Sequence, residues 1–403
     1  MPEFSYKAVN TEGHLLSGVR EAETQNRLRD ILEAQGLELI NCDLKQGTGL
    51  RKFNRLKMKT SDLANFLFQI GMQLRAGVSI VEALRSREGE VESGAQGIVR
   101  QRLAEVVEQG TPMSEGLAEF PRIFPGYVRN VVRVAERSGS LAENLISLRS
   151  YVEWLDQNWK TFKQAMLYPS FVFIALLAFV FIALRFIFPT ILELIYELEI
   201  PLPWVTRFMI GASDFVVAYW SLIAGGAFLL PILLRILFKI SKTAAYYRDR
   251  CIIGIPYLGE VIRTLAIARF LRSLILMQKA GIVITDSLKM AREVVGNKVI
   301  ESSVIKIEAA VANGATISST MANDSNFPVI VRTMVGVGER SGSLDESLTA
   351  VVEYYDDLVP RKIKIFFAVL EPSLIVVTIL MAGFVAAAVF LPLVQMLSPG
   401  ALN

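Results

Sequence analysis

The sequence ERSGSL at residues 136–141 is repeated, letter for letter, at residues 339–344. A second related pair lies upstream of the two copies, where RAGVSIVEAL at 75–84 corresponds to KAGIVITDSL at 279–288. The two pairs are separated by nearly the same distance along the chain, so a whole block of sequence corresponds and not one short motif. Self-similarity at a fixed spacing is typical of a duplicated structural unit.

The correspondence continues into apolar sequence, where LYPS at 167–170 matches LEPS at 370–373. We therefore predict that the unit covers roughly 63–192 in the first copy and 267–395 in the second. The first part of each copy shows helical periodicity without strand-like alternation. We expect each of these parts to be a bundle of about six helices that is followed by one apolar helix.

Each hexapeptide is predicted to be a joint at which one helix ends and the next begins. Its glycine suits the left-handed backbone position after a helix end, and the following serine opens an S-x-x-E capping box. A glycine earlier in each copy indicates a similar joint. The predicted turn and cap residues are Gly77, Gly139, Ser140 and Glu143 in the first copy and Gly281, Gly342, Ser343 and Glu346 in the second.

A second interpretation of the hexapeptide is functional. Glu136 and Arg137, together with Glu339 and Arg340, would present a charged face to a partner. Capping by itself accounts for the letters. These four residues are nevertheless our first candidates for partner binding.

The composition indicates a membrane protein with sizeable water-facing domains. Hydrophobic residues make up 52% of the chain and the mean hydropathy is +0.42, yet 20% of the residues are charged. Three apolar stretches are long enough for the roughly 20 helical residues that a bilayer requires. The fold class is therefore an all-α membrane protein with transmembrane helices at 167–189, 215–236 and 370–396.

The placement of lysine and arginine predicts the orientation of these spans. Basic residues precede the first and third spans and follow the second, whereas the loop at 190–214 is acidic and the tail at 397–403 is uncharged. We expect the helical domains at 63–165 and 239–365 in the cytoplasm with the N-terminus, and the loop and tail on the outer side. The second span returns the chain, so that both copies lie on the same side.

The first 50 residues differ from the remainder. Two short extended runs flank a turn signal at 10–13, and a helical stretch and a further extended run follow. We predict a small α/β module at 1–50, and a basic linker at 51–62 that is either a solvated tether or a contact to lipid headgroups. We expect no cleavable signal peptide.

The residues that catalysis requires are scarce. The single histidine, His14, lies in the predicted hairpin, and Cys42 and Cys251 lie at no metal or disulfide spacing. No Gly-Lys dipeptide is present, so a G-x-x-x-x-G-K phosphate loop cannot be built. A net charge of +3 provides no argument for nucleic-acid binding. We predict no enzyme activity, cofactor or metal, and energy for any driven process would come from a partner.

Taken together, the duplicated helical unit, the joints, Tyr168-Pro169 and Glu371-Pro372 at the start of two spans, and YKAVNTEGHLLSG at 6–18 resemble a known family. They are similar to the inner-membrane platform proteins of type II secretion and type IV pilus machines, the GspF/PilC family. The resemblance covers essentially the whole chain. The two copies differ at one loop, which reads ATISST at 315–320 where the first copy has TPMSEGL at 111–117. We expect the two loops to contact different partners.

The resemblance implies a non-enzymatic platform in the bacterial inner membrane, with its outer side in the periplasm. The expected partners are a hexameric cytoplasmic assembly ATPase, pilins or pseudopilins, other inner-membrane machine components, membrane lipids and a further copy of the chain. The platform would pass subunits from the bilayer into a growing filament. Pilus and secretion machines are both compatible with the sequence.

Glu371 is a further candidate for partner binding. Its counterpart in the first copy is Tyr168, so an acid is not required to begin a span. A carboxylate at the mouth of a membrane helix is costly unless it is paired or reaches water. It either faces a basic partner, such as a residue of the same bundle or the amine of an incoming pilin, or lies exposed at headgroup level. Pro169 and Pro372 are expected to open their spans.

Two other classes of function compete with a platform. Internally repeated membrane blocks are typical of transporters, but three spans are few and the duplicated part is mostly water-facing. The other class is a membrane-tethered scaffold. Substrate flux into vesicles would favour the transporter, and co-purification with a hexameric ATPase would favour the platform.

Overall fold

The computed structural model of the chain describes residues 3–10, 15–21, 25–33, 37–44, 56–86, 94–187, 189–190 and 203–397. The chain divides into two compact units, residues 1–150 and 151–403.

A three-stranded antiparallel sheet with the order β2-β1-β3 begins the first unit. Its strands are β1 (Glu3–Asn10), β2 (Leu15–Glu21) and β3 (Leu37–Leu44), and helix α1 (Gln25–Glu33) contacts β1 and β3. Ala8 and Leu32 are fully buried. His14, the predicted turn at 10–13 beyond Asn10, residues 45–50 of the predicted module and residues 51–55 of the predicted linker lie outside the described residues.

The first helical bundle follows the sheet. Its helices are α2 (Thr60–Arg75), α3 (Ile80–Arg85), α4 (Gly94–Glu108), α5 (Met113–Ala118), α6 (Gly126–Ser138) and the start of α7 (Leu141–Ile182). The rings of Phe66 and Phe124 meet in its core, 5.7 Å apart. Gly71 lets α2 approach α7 closely, because a Cβ there would lie 3.0 Å from Ile146 Cγ1.

The second unit contains the remaining helices. A π-helical turn (Ala183–Ile187) continues α7, and α8 (Trp204–Ile240) and α9 (Lys242–Gly254) follow. The second bundle consists of α10 (Leu258–Lys279), α11 (Ile284–Val294), α12 (Lys298–Ala312), α13 (Ile317–Ala322), α14 (Val329–Ser341) and α15 (Leu344–Leu397).

The two bundles correspond helix for helix. Helices α4 and α12 each have 15 residues, α5 and α13 have six, and α6 and α14 have 13. Both bundles end in a helix that begins two residues after the joint glycine. The duplication of sequence is therefore a duplication of structure.

The boundary between the two units lies inside α7, after Ser150, earlier than the predicted end of the first domain at 165. Trp154 belongs to the core of the second unit, and Phe162 packs against that core with its ring 5.5 Å from that of Phe367. The sequence repeat could not show this, because it records which residues correspond and not which bundle they pack against.

Among the residues that the structure describes, two helical segments pass a test of the length and hydropathy needed to cross a membrane, 141–187 and 344–392. Helix α8 contains the predicted second span and has 37 residues. The bent pair α9 and α10 passes the same test of length and hydropathy when taken together. However, α10 has 13 buried residues and contributes several of them to the core of the second bundle.

Pro169 and Pro372, expected to act as turn or cap residues where their spans begin, do not lie at a helix end. Both prolines lie inside continuous helices, Pro169 in α7 and Pro372 in α15. A proline removes one backbone hydrogen bond from a helix interior, and apolar helices tolerate this loss when neighbouring groups satisfy the freed carbonyl. The last helix of each bundle thus runs into apolar sequence without an intervening loop.

The apolar segments of the second unit meet in a small cluster of buried side chains. Two polar contacts hold it: Thr206 Oγ1 donates to the Ala388 carbonyl at 2.9 Å, and Ser213 Oγ donates to the Leu184 carbonyl at 2.5 Å. The cluster consists of Ala183, Leu184, Val205, Met209, Val385 and Ala388. Within these apolar segments, most of the large apolar side chains outside the cluster are exposed, which suits helices that face lipid.

Candidate partner-binding site

The glutamate of the first hexapeptide caps a helix of the same bundle. Glu136 lies in α6, and its two carboxylate oxygens accept hydrogen bonds from the amides of Met113 and Ser114, at 2.5 and 3.1 Å. These amides open α5, whose preceding residue, Pro112, provides no side-chain cap. The first amides of a helix lack partners within the helix, so Glu136 supplies what the local sequence does not.

The glutamate of the second hexapeptide makes the same contact. Glu339 accepts from the amides of Ile317 and Ser318, at 2.5 and 2.8 Å, and from the Ser318 hydroxyl at 2.5 Å. Here Thr316 also caps α13, by accepting from the Ser319 amide at 3.2 Å. The contact is therefore retained although the two loops differ in sequence.

The capping contacts divide the predicted charged face into two parts. Glu136 and Glu339 are half-buried and tied to backbone amides, whereas Arg137 and Arg340 are exposed. Within the described residues, neither arginine has an ion-pair partner. The arginines, and not the glutamates, are available to a binding partner.

The joint glycines lie in the left-handed region of the backbone. Gly139 and Gly342 have φ values of 71° and 73°, and Gly77 and Gly281 have values of 88° and 79°. A Cβ at any of these positions would meet no atom within 4 Å. Backbone conformation, and not lack of space, is the reason for glycine here.

The predicted capping boxes are not formed. The Ser140 hydroxyl contacts Ser138 Oγ at 2.6 Å and accepts from Asn144 Nδ2 at 2.9 Å. In the second copy, Ser343 Oγ contacts Ser341 Oγ at 2.7 Å. Among the described contacts, neither serine accepts from the amide of Glu143 or Glu346. The two serines of each hexapeptide bond to each other instead, because the tight left-handed turn brings their hydroxyls together.

An open groove of about 510 Å³ lies beside the first joint. Arg133 and Arg137 are exposed at it, and no ion-pair partner of Arg133 is found among the described residues. The position of Arg133 is occupied by Gly336 in the second copy, so the two joints differ in charge. The groove is lined by Ile80, Val107, Met113, Arg133, Arg137 and Leu141, among other residues.

Glu371 lies on an exposed face in the middle of α15. It makes no ion pair with any residue that the structure describes. Phe367, one helical turn earlier, is buried against the second bundle, so Glu371 follows the part of α15 that packs against that bundle. Tyr168, its counterpart in α7, is 50% exposed. Both side chains are therefore exposed at corresponding positions of the two copies.

A polar cluster that sequence reasoning missed holds α7 to the second bundle. Arg272 of α10 pairs with Asp356 of α15, and its guanidinium carbon lies 5.0 Å from the centre of the Trp154 ring in α7. Burial lowers the pKa of the neighbouring Arg269. The members of the cluster are far apart in the chain, so no sequence spacing pointed to them.

Nothing in the described part of the chain has the form of a metal site. Groups of three or more histidine, cysteine, aspartate or glutamate side chains that could hold an ion are not found there. Cys251 is a free, exposed thiol.

Comparison with known families gives matches along most of the chain. The family model described as type II secretion system protein F matches twice, at residues 66–189 and 270–392. The model for the N-terminal domain of the same protein matches residues 1–43. The two main matches coincide with the two copies of the repeated unit.

Individual relatives are similar over nearly their whole length. The type IV pilus assembly protein TapC of Aeromonas hydrophila is 30% identical over 98% of this chain and 95% of its own. The type II secretion system protein F of Pseudomonas aeruginosa is 28% identical over 98% of this chain and 99% of its own. The type IV pilus assembly protein PilC of Thermus thermophilus is 29% identical, with 98% of both chains covered.

Proposed function

The chain belongs to the type II secretion system protein F family, and on that premise we propose that it is the inner-membrane platform protein of a type IV pilus or type II secretion machine. It couples the movement of a hexameric cytoplasmic assembly ATPase to the insertion of pilin or pseudopilin subunits into a filament. It performs no catalysis of its own in this process. Relatives named for pilus assembly and for secretion have similar sequence identity to this chain, so the proposal includes both kinds of machine.

One observation carries this proposal: the last helix of each bundle continues without a loop into apolar sequence. Helices α7 and α15 have 42 and 54 residues, about 63 and 81 Å at the rise of an α-helix. A flexible linker would absorb a displacement of the bundle. A continuous helix instead passes that displacement to the segment that lies among lipids and filament subunits.

In this proposal α8 is a second membrane span, and the two bundles and the N-terminus lie in the cytoplasm. The distribution of basic residues supports that orientation. The odd number of spans leaves the C-terminus in the periplasm. A platform at the centre of a symmetric machine is also expected to form at least a dimer.

We assign the ATPase contact to the exposed surface of the bundles, with Arg137 and Arg340 as the first candidate residues. Glu371 is the candidate contact for the amine of an incoming subunit. Their exposure without an ion-pair partner among the described residues supports both assignments.

Affinity purification of the tagged protein from its own membranes, followed by mass spectrometry, tests the function. Recovery of an assembly ATPase together with pilins or pseudopilins is the expected result, and the identity of the subunit would distinguish pilus from secretion. Recovery of neither in mild detergent, from protein that is stably inserted, would contradict the platform proposal. Substrate flux into vesicles would then favour a transporter.

The role of Glu371 is tested with Glu371→Gln, which keeps the size of the side chain and removes its charge. We expect filament assembly to be lost while the protein is still inserted at the normal level. Glu353→Gln, a change on an exposed acid of the same helix, serves as the matched control. Normal filament assembly with the Glu371 variant would contradict this role and would indicate that Glu371 is only a water-exposed acid at headgroup level.

A further inference from the structure

The corner between α8 and α9 concentrates positive charge at the end of an apolar helix. Arg235 is the first charged residue after the uncharged stretch 215–234, and Lys239 follows it at i+4 on the same helical face. Lys242 opens α9 directly after the break at Ser241, and Arg250 lies on the exposed face of α9. Four basic side chains thus lie within 16 residues.

Specific contacts fix this corner. Asp249 is buried, and one of its carboxylate oxygens accepts from the amide of Lys298 at 2.7 Å while the other pairs with Arg248 at 2.6 Å. The Arg248 guanidinium lies 5.1 Å from the centre of the Phe238 ring in α8. The backbone that carries the four basic residues is therefore held against the second bundle.

Of the basic residues at the corner, Arg248 makes contacts that hold the fold, namely those with Asp249 and Phe238. Arg235, Lys239, Lys242 and Arg250 are exposed, and none has an ion-pair partner within the described part of the chain. Unpaired cations on a fixed corner create a site of high positive potential.

Large apolar side chains alternate with these cations. Ile240 is 78% exposed, Tyr247 is 60% exposed and Ile255 is 45% exposed. Contiguous exposed apolar groups are unfavourable in water, whereas tyrosine and aliphatic side chains beside cations are typical of the headgroup region of a bilayer. The apolar groups thus indicate a membrane surface, and not bulk water, next to the cations.

We propose that this corner is a binding site for the phosphate groups of anionic phospholipids, held by Arg235, Lys239, Lys242 and Arg250. The inference rests on the proposed membrane placement of α8. Juxtamembrane clusters of four or more basic residues bind anionic lipid through their summed charge. The bound lipids cover the exposed side chains of the corner and anchor the second bundle against the membrane.

The test is a titration of the purified full-length protein in detergent with phosphatidylglycerol, monitored by native mass spectrometry. Phosphatidylcholine, which has no net charge, is titrated in parallel. The test variant combines Arg235→Gln, Lys239→Gln, Lys242→Gln and Arg250→Gln. We expect its apparent affinity for phosphatidylglycerol to fall by about tenfold or more, with little change for phosphatidylcholine.

A control variant removes three exposed cations of the second bundle that are not part of the corner. It combines Lys279→Gln, Lys289→Gln and Lys306→Gln and is expected to bind phosphatidylglycerol as the wild type does. Equal loss in both variants would overturn the proposal, because only net charge would matter. Unchanged lipid binding with loss of a co-purified acidic protein would overturn it in favour of a protein partner.

Two further measurements separate a failure of the lipid site from a folding defect and from a failure of the platform proposal. If the fourfold variant does not fold, the pair Lys239→Gln and Lys242→Gln is titrated instead, with an expected loss of at least about threefold. Recovery of the ATPase is measured separately in the same preparations. Lipid binding without ATPase recovery would contradict the platform proposal alone, and ATPase recovery without selective phosphatidylglycerol binding would contradict the lipid site alone.

Discussion

At the residue scale, Glu136 and Glu339 act on backbone that lies earlier in the chain. Each accepts hydrogen bonds from the first two amides of a six-residue helix, 21 to 23 positions before it. A helix this short has little stability of its own. The carboxylate therefore ties the loop before α5 or α13 to the joint that follows, which makes each joint a fixed surface.

We predict that Glu136→Ala lowers the free energy of unfolding by about 1–2 kcal/mol, the usual cost of losing a helix cap with its buried amide partners. Arg137→Ala, on the adjacent exposed residue, should change it by less than about 0.5 kcal/mol. Denaturant unfolding of the full-length protein in detergent measures both. Equal effects of the two changes would show that the carboxylate has no special structural role.

Gly259 provides a second prediction at this scale. It lies two residues after Tyr257, whose φ of 59° is positive, and a Cβ at Gly259 would overlap the backbone oxygen of Ile253. We expect Gly259→Ala to destabilise the protein by about 1–3 kcal/mol, the range for overpacking. The control is Gly254→Ala, where a Cβ meets no atom within 4 Å. A thermal scan in which both variants melt alike would contradict the turn geometry.

At the scale of elements, polar side chains join the apolar helices. Ser213 of α8 donates to the carbonyl of Leu184 in the π-helical turn that continues α7, and Thr206 donates to that of Ala388 in α15. Within apolar surroundings an unpaired carbonyl is costly. These two bonds therefore help to set how α8 packs against its neighbours.

We predict that Ser213→Ala destabilises the packing of these helices by about 0.5–2 kcal/mol, as found for hydrogen bonds between membrane helices. Ser221→Ala changes an exposed serine of the same helix and should have almost no effect. Unfolding of the detergent-solubilised protein compares the two. A Ser213 variant as stable as the Ser221 variant would mean that water or lipid satisfies the Leu184 carbonyl instead.

At the scale of the whole molecule, duplication combined with one additional helix explains the architecture. The same bundle and the same long helix occur twice, and α8 is the one long helix among the described residues without a counterpart. A single passage between the copies would place the second bundle on the opposite side of the membrane from the first. A return span corrects this, which is the physical basis of the proposed topology.

The topology predicts different accessibility for two introduced thiols in a protein whose native cysteines are replaced by serine. Ala312→Cys, exposed at the end of α12, should react with a membrane-impermeant maleimide only in inside-out vesicles. Ser398→Cys in the C-terminal tail should react only in spheroplasts. Labelling of both thiols from the same side would contradict the single crossing that the proposed topology places between them, in α15.

The residues by themselves determined the duplication, the helical class and the apolar segments, because these are properties of periodicity and composition. The hexapeptide ERSGSL was recognised as a joint from its glycine, since a left-handed backbone is a local requirement that one residue type meets.

Only the tertiary structure decided what depends on distant parts of the chain. It showed that the joint glutamates cap α5 and α13, that Trp154 packs under Arg272 in the second unit, and that the prolines lie inside continuous helices. It also showed that Asp249 fixes a corner where Arg235, Lys239, Lys242 and Arg250 are exposed without an ion-pair partner among the described residues. Such contacts join residues 22 to 118 positions apart, and their geometry depends on how the helices pack, which no local pattern specifies.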